Sequence, residues 1–312
     1  MLTSVQRALK LIDQGALQEG SVSELAARLG MTDRYLRKLF DQHLGISPKT
    51  YALYQQCLFA KQLLHQSALP ITQVALASGF NSLRRFNDSF KSAFGLTPTQ
   101  VRRSNTAEVT TDLRLKLYFR PPFAWTSMHK FLQARSVAGL EWSEHGGYGR
   151  TIEYGNSAGY FEVNPEPGQY FLWLKLSLNN WHNLNLIVRR IRRLFDLDAN
   201  SLSIDTQLQP LLCAPLRYRS GLRLPGIWSP FEAGIRAILG QQVSVSAAAN
   251  LVTAVVSELG RPLAGPKKLF PTPAAIAQSD LGFLKMPDAR KATLRPLAQW
   301  YLQADEPDDI DQ

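Results

Sequence analysis

The chain has 312 residues, of which 45% are apolar and 19% charged, with 35 Lys and Arg against 25 Asp and Glu and a formal charge of +10. That composition excludes a disordered polyelectrolyte and supports two domains or three small ones. No apolar run reaches the ~18 residues of a membrane helix. Residues 1–10 hold no signal-peptide stretch. Two cysteines, Cys57 and Cys213, far apart and outside any CxxC, exclude a disulfide framework and a cysteine-rich zinc site. The five histidines (His43, His65, His129, His145, His182) have no metal-ligand spacing. No metal, no cofactor and no membrane are expected, and the expected location is the cytoplasm.

The positive charge is uneven. Residues 1–104 carry 13 Lys and Arg against 6 Asp and Glu, residues 105–205 carry 11 against 10, and residues 206–312 carry 11 against 9. A basic first third with helical patterning suits a polyanion, and double-stranded DNA is the expected partner. Oligomeric state is not legible.

The same third contains an internal repeat. Phe40, Gly45 and Pro48 recur as Phe90, Gly95 and Pro98, 50 residues on, and Leu25, Ala26 and Gly30 recur as Val74, Ala75 and Gly79, 49 residues on. One supersecondary unit therefore occurs twice. Ser21 and Glu24 form a capping box that opens a helix through Leu29. Gly30 ends it in the left-handed conformation, and Thr32 caps a second helix with Leu36, Leu39 and Phe40 inward. The second unit runs Ile71–Ser78, Gly79, then a helix from near Asn81 with Phe86, Phe90 and Phe94 on one face. Ser47-Pro48 and Thr97-Pro98 each start a further helix. The first of these, to about Leu64, spans roughly 26 Å at 1.5 Å per residue. That length is compatible with holding two recognition helices about one DNA turn, ~34 Å, apart.

The segment from Pro70 to Thr99, PITQVALASGFNSLRRFNDSFKSAFGLTPT, resembles the signature of the AraC/XylS family of bacterial transcription regulators, and the likeness covers about residues 4–103. It implies base contacts from two recognition helices. By position these are Arg34, Arg37 and Lys38 in the first, and Arg84, Arg85 and Asn87 in the second. Arg suits guanine and Asn suits adenine. The resemblance also implies a protein associated with the bacterial nucleoid when bound to DNA.

Residues 105–112 read as a linker. Leu113, Leu115, Leu117 and Phe119 then alternate with polar residues, as in a half-buried strand. A short helix is expected from Trp125 to Ala134 with Met128, Phe131 and Leu132 inward. Strands are expected near Val137–Trp142, Arg150–Tyr154, Gly159–Val163 and Tyr170–Leu176, and a helix from Trp181 to Phe195. Gly155–Gly159 matches the G-x-S-x-G nucleophile elbow, but that motif needs a helix after it and here a strand follows; a chance turn is the reading.

Farther on, helices fit Pro230–Leu239, Ser244–Leu259, a short segment after Pro271 and Ala289–Leu302, with Gly240 between the first two. The motif from Phe231 to Val245, FEAGIRAILGQQVSV, together with YFRPPFAW at Tyr118–Trp125, resembles the AlkA-type 3-methyladenine DNA glycosylases over about residues 113–303. The resemblance implies that Gln242, with Gln241 in the same turn, enters the DNA stack beside a flipped base. It also implies that Phe131 belongs to the base pocket. The family's helix–hairpin–helix, L-P-G-[IV]-G-x-x-T-A, and the aspartate after it are not found. Leu224-Pro225-Gly226-Ile227 imitates the start but lies in the wrong place, and Ala304–Gln312 reads as a frayed acidic terminus. No catalytic residue is assigned.

The expected architecture is multi-domain: an all-α double helix–turn–helix domain (1–104), a linker (105–112), an α+β antiparallel-sheet domain (113–205), a partial all-α glycosylase bundle (206–303) and the terminus (304–312). The expected function is a sequence-specific transcription regulator of the adaptive response to DNA alkylation. Its glycosylase-like region is expected to be truncated and inactive. The alternative is a base-excision enzyme that removes alkylated bases.

Overall fold

A computed structural model describes residues 2–18, 20–103, 113–210 and 219–304. It divides into two compact units, Met1–Leu115 with Asn180–Arg190, and Lys116–Asn179 with Ile191–Gln312. The expected linker (105–112) and all of the expected terminus (304–312) beyond Ala304 lie outside the described residues, as does Cys213.

The first unit is helical: α1 (Leu2–Asp13), α2 (Val22–Arg28), α3 (Asp33–Leu44), α4 (Pro48–Gln66), α5 (Ile71–Ala77), α6 (Leu83–Phe94) and α7 (Pro98–Arg103). Both arms of the capping box are present: Ser21 Oγ accepts from the Glu24 amide at 3.2 Å, and the Ser21 amide donates to Glu24 Oε2 at 2.8 Å. Gly30 (φ +67°) turns the chain, and Thr32 Oγ1 accepts from Tyr35 N at 3.3 Å to start α3. The second copy uses Gly79 (φ +84°) and Ser82, whose Oγ accepts from Arg85 N at 3.2 Å. The helix thus opens at Ser82 rather than at Asn81, because the serine hydroxyl supplies the cap. Gly45 and Gly95, at φ +69° and +70°, close α3 and α6 in the same way. Ala8, Ile12, Leu25, Leu36 and Phe40 share one core. The Phe86 and Phe90 rings lie 5.6 Å apart and fully buried, and each such side chain contributes about 1.5–3 kcal/mol. The repeat gives no warning of α1, which belongs to neither copy yet buries Val5, Ala8 and Ile12. Residues 180–190 count with this unit, and there the Asn183 and Asn185 side chains exchange hydrogen bonds with the Gln18 amide.

The second unit begins with a sheet and its helices: β1 (Leu113–Tyr118, with its first three residues counted in the first unit), α8 (Trp125–Gln133), β2 (Glu141–Trp142), β3 (Tyr148–Tyr154), β4 (Ser157–Pro165), β5 (Phe171–Leu178), α9 (Leu184–Leu194, with residues 184–190 counted in the first unit) and α10 (Ser201–Leu208). The strand order is β1-β5-β4-β3-β2, and the β2–β3, β3–β4 and β4–β5 pairs are antiparallel. Leu115, Leu117, Phe161, Val163, Leu174 and Leu176 line the buried face. Tyr154 pairs with Ser157, so Gly155 (φ +54°) sits in a hairpin turn and Ser157 is a buried strand residue. That is the chance turn expected of the false elbow.

Of the strand expected over Val137–Trp142, only Glu141 and Trp142 pair with β3. Val137 and Leu140 stand three apart in a tight turn, with Glu141 N on Val137 O at 2.8 Å, and both enter the core of the helical bundle. Apolar spacing of three fits a turn as well as a strand end.

The bundle comprises α11 (Pro230–Leu239), α12 (Val245–Leu259), a hairpin β6 (Pro262–Ala264) and β7 (Lys267–Lys268), α13 (Pro273–Gln278) and α14 (Asp288–Gln303). Phe231, Ile235, Leu239, Val255, Leu294 and Ala298 are among its core residues. Gly234 lets α14 approach α11, since a Cβ there would meet Leu297 Cδ2 at 2.9 Å. The sequence of α12 is apolar nearly all round, yet Val252, Val255 and Val256 are buried while Val245 stays 46% exposed.

Candidate DNA-contact surfaces

Helices α3 and α6 each bury one stripe and expose the rest. In α3, Leu36, Leu39 and Phe40 face the core, so Arg34, Arg37 and Lys38 are exposed. In α6, Phe86 and Phe90 take the core positions and Arg84, Arg85 and Asn87 are exposed. The structure therefore places all six predicted side chains on accessible faces. The two helices are not equal. Arg37 holds Asp33 through two bonds, Nε to Oδ1 at 2.6 Å and Nη2 to Oδ2 at 3.2 Å. That hydrogen-bonded pairing keeps the Asp33 carboxyl below its ordinary value. The position equivalent to Lys38 is Asp88, also exposed, which makes the outer face of α6 less basic at that point.

A second surface surrounds the turn between α11 and α12. Gly240 ends α11, Gln241 and Gln242 follow exposed, and Ser244 Oγ caps α12 by accepting from Ala247 N at 3.2 Å. Gln242 has φ +56°, a left-handed conformation that costs a non-glycine residue about 1–2 kcal/mol. From α14, Arg290 Nη1 donates to the Gln241 carbonyl at 2.7 Å. Phe131, expected inward on α8, is instead 41% exposed, because Met128 takes the inner position. The Arg135 guanidinium stacks on its ring, 3.7 Å from the centroid.

α11, which ends at that turn, is held by a buried ionic cluster that sequence reasoning missed. Arg150 on β3 donates to Glu232 Oε2 at 2.7 Å. Arg236 Nε donates to Glu232 Oε1 at 2.8 Å, and its Nη2 reaches Glu141 Oε2 at 2.9 Å. The Tyr148 hydroxyl donates to Glu141 Oε1 at 2.8 Å. Burial would raise the Glu232 carboxyl, but Arg150 and Arg236 outweigh it and hold it below 4.5. Burial, reinforced by the Glu141 charge, drives the Tyr148 phenol well up, so it stays a protonated donor. The i,i+4 pair Glu232/Arg236 is legible in sequence. Its partners on β2 and β3, at least 82 residues away, are not. The cluster joins sheet to α11, the helix whose end carries the Gln242 turn.

Among the described residues no group of His, Cys, Asp and Glu could hold a metal ion. Cys57 is buried and its thiol is pushed up to about 11 by burial, which makes it a poor nucleophile.

Comparison with known proteins finds two families along the chain. Residues 25–104 match a helix-turn-helix domain family, and residues 114–229 match the AlkA N-terminal domain. The chain is 35% identical over 306 residues to a probable bifunctional transcriptional activator/DNA repair enzyme AlkA of Mycobacterium tuberculosis H37Rv, covering 94% of this chain and 61% of that one. It is 36% identical over 196 residues to the DNA-3-methyladenine glycosylase 2 of Escherichia coli K12, covering 61% of this chain and 68% of the glycosylase. A solved 3-methyladenine DNA glycosylase from Archaeoglobus fulgidus shares the fold with a TM-score of 0.51 at 19% identity, over 62% of this chain and 68% of that one. These define an AraC-type helix–turn–helix region joined to a glycosylase fold. The chain belongs to the AlkA family of DNA-3-methyladenine glycosylases. It spans about three fifths of the length of its bifunctional relatives.

Proposed function

We propose that this protein regulates transcription in response to DNA alkylation by binding specific duplex sites through α3 and α6, with residues 1–104 as its DNA-binding domain. The observation that carries this reading is the pair of equivalently capped helices presenting Arg34, Arg37 and Lys38, and Arg84, Arg85 and Asn87. Arginine can take guanine bidentately and Asn87 can take adenine. The remaining cations contact phosphate and set the salt dependence. Residues 113–205 and 206–303 form the two parts of the AlkA-like region, which engages duplex DNA through Gln242 and Gln241, with Phe131 beside the base.

Selection of bound duplexes from a random pool, followed by gel shift over a salt series, tests this function. The expected result is an enriched site whose affinity exceeds that of unrelated duplex. Equal, salt-labile binding to every duplex would sink it.

A second reading has one supporting observation. The left-handed turn at Gln242 in a relative of a glycosylase suits an enzyme that holds an extruded base, so excision of alkylated bases is the alternative function. Release of 3-methyladenine from methylated duplex, with turnover that copurifies with the chain, would establish it.

A further inference from the structure

Arg290 sits where helix physics disfavours it. It is the third residue of α14, in the first turn, where the helix dipole favours acids. Lys291 beside it is compensated by Asp288 at 3.3 Å. Arg290 is compensated instead by the main-chain oxygen of Gln241, 49 residues away, at 2.7 Å. That oxygen lies just beyond the C-terminal end of α11, where unpaired carbonyls attract a cation.

The acceptor matters more than the charge. The Gln241 carbonyl belongs to the peptide plane joining Gln241 to Gln242, and turning that plane changes ψ of Gln241 and φ of Gln242 together. A donor on this oxygen therefore resists rotation of the plane and favours the φ of +56° at Gln242, a conformation that the side chain itself disfavours. Arg290 is itself anchored: Thr293 Oγ1 donates to its carbonyl at 2.7 Å, and Leu294 and Ala298 of the same helix are in the bundle core.

The geometry points to Arg290 as the positioning residue that pre-organises the Gln242 turn for insertion into duplex DNA. This rests on the proposed entry of Gln242 into the base stack. Arg290 acts through the main chain of Gln241 and need not touch DNA. A local rule broken at one residue, beside a strained one, is the pattern expected where a loop is held ready for a ligand.

The test uses the full chain and a duplex carrying one tetrahydrofuran abasic site flanked by 2-aminopurine, with fluorescence read at saturating protein. Insertion of a side chain into the gap changes the 2-aminopurine signal. Gln242→Ala is expected to abolish the change. Arg290→Gln is expected to weaken the preference for the gapped over the intact duplex by roughly tenfold, the low end for a hydrogen bond to a charged group. It is also expected to shrink the saturated signal while the melting temperature stays unchanged. Arg290→Lys, which keeps the charge, is expected to restore part of the signal. If Gln242→Ala removes the signal but both Arg290 variants keep it in full, the positioning role is overturned and the insertion reading stands. The positioning role is equally overturned if Arg290→Gln lowers affinity for gapped and intact duplex alike at an unchanged saturated signal, the mark of a phosphate contact. If Gln242→Ala leaves the signal intact, insertion itself fails, and the positioning role with it.

Discussion

Arginine does opposite work in the two units. In the first, Arg34, Arg84 and Arg85 stand exposed on capped helices. In the second, Arg150 is buried with Glu232, while Arg236 bonds to both Glu232 and Glu141. The same side chain is left at the surface where a polyanion can be met, and consumed where a sheet must be tied to a helix. Net charge alone does not make this distinction. A cation counted from sequence is a DNA contact only if the fold leaves it without a carboxylate, and Arg37, already held by Asp33, lies between the two cases.

Substitutions in the two units should separate these roles. The largest effect is expected from Glu232→Ala, which leaves Arg150 in the core with Glu141 alone, 3.7 Å away, and takes one partner from Arg236; about 3 kcal/mol of stability is lost, read by denaturant melts. DNA selectivity in the surviving folded fraction should be unchanged. The same cluster predicts a pH dependence. Because the Glu232 carboxyl is held below 4.5, it adds stability that is present above about pH 4.5 and lost as pH falls through its lower native value, where the unfolded chain binds the extra proton. Melting curves on either side of pH 4.5 should show that loss, and Glu232→Gln should flatten it. Next comes the surface. Arg84→Ala and Asn87→Ala are each expected to weaken the preferred site by roughly ten- to hundredfold with little change in melting, and to relax the preference at one base pair. Replacing a phosphate-contacting cation should instead weaken all sequences evenly and reduce the salt slope by about one. The smallest effect is at a cap: Ser21→Ala removes one arm of the capping box and should cost about 1 kcal/mol by thermal melt.

The first unit was the more legible in sequence because its signals are local. Ser21, Thr32, Gly45 and Gly95 act on neighbours within four residues, and the repeat doubles each cue. Where a cue was shared between adjacent residues, as at Asn81 and Ser82, the cap decided. The second unit was legible in its elements but less so in its connections. Val137 and Leu140 alternate poorly with their neighbours, and only their burial in the helical core shows why. Phe131 carries the sequence pattern of an inner residue, but Met128 is the buried residue of α8, and the exposed Phe131 ring is covered by Arg135 one turn on. The Arg150–Glu232 bond and the Arg290–Gln241 bond join residues 82 and 49 apart, distances at which no periodicity operates. The left-handed Gln242 had no glycine or asparagine to announce it.

In the proposed function α3 and α6 read one duplex together. A hydroxyl-radical footprint on the selected site tests it most directly, with wild type beside an Arg34→Ala/Arg37→Ala double variant and an Arg84→Ala/Asn87→Ala double variant. Two protected patches on one face, about 10 base pairs apart, are expected. Each double variant should erase one patch and weaken the other. A single patch, or protection that both variants leave in place, would contradict it.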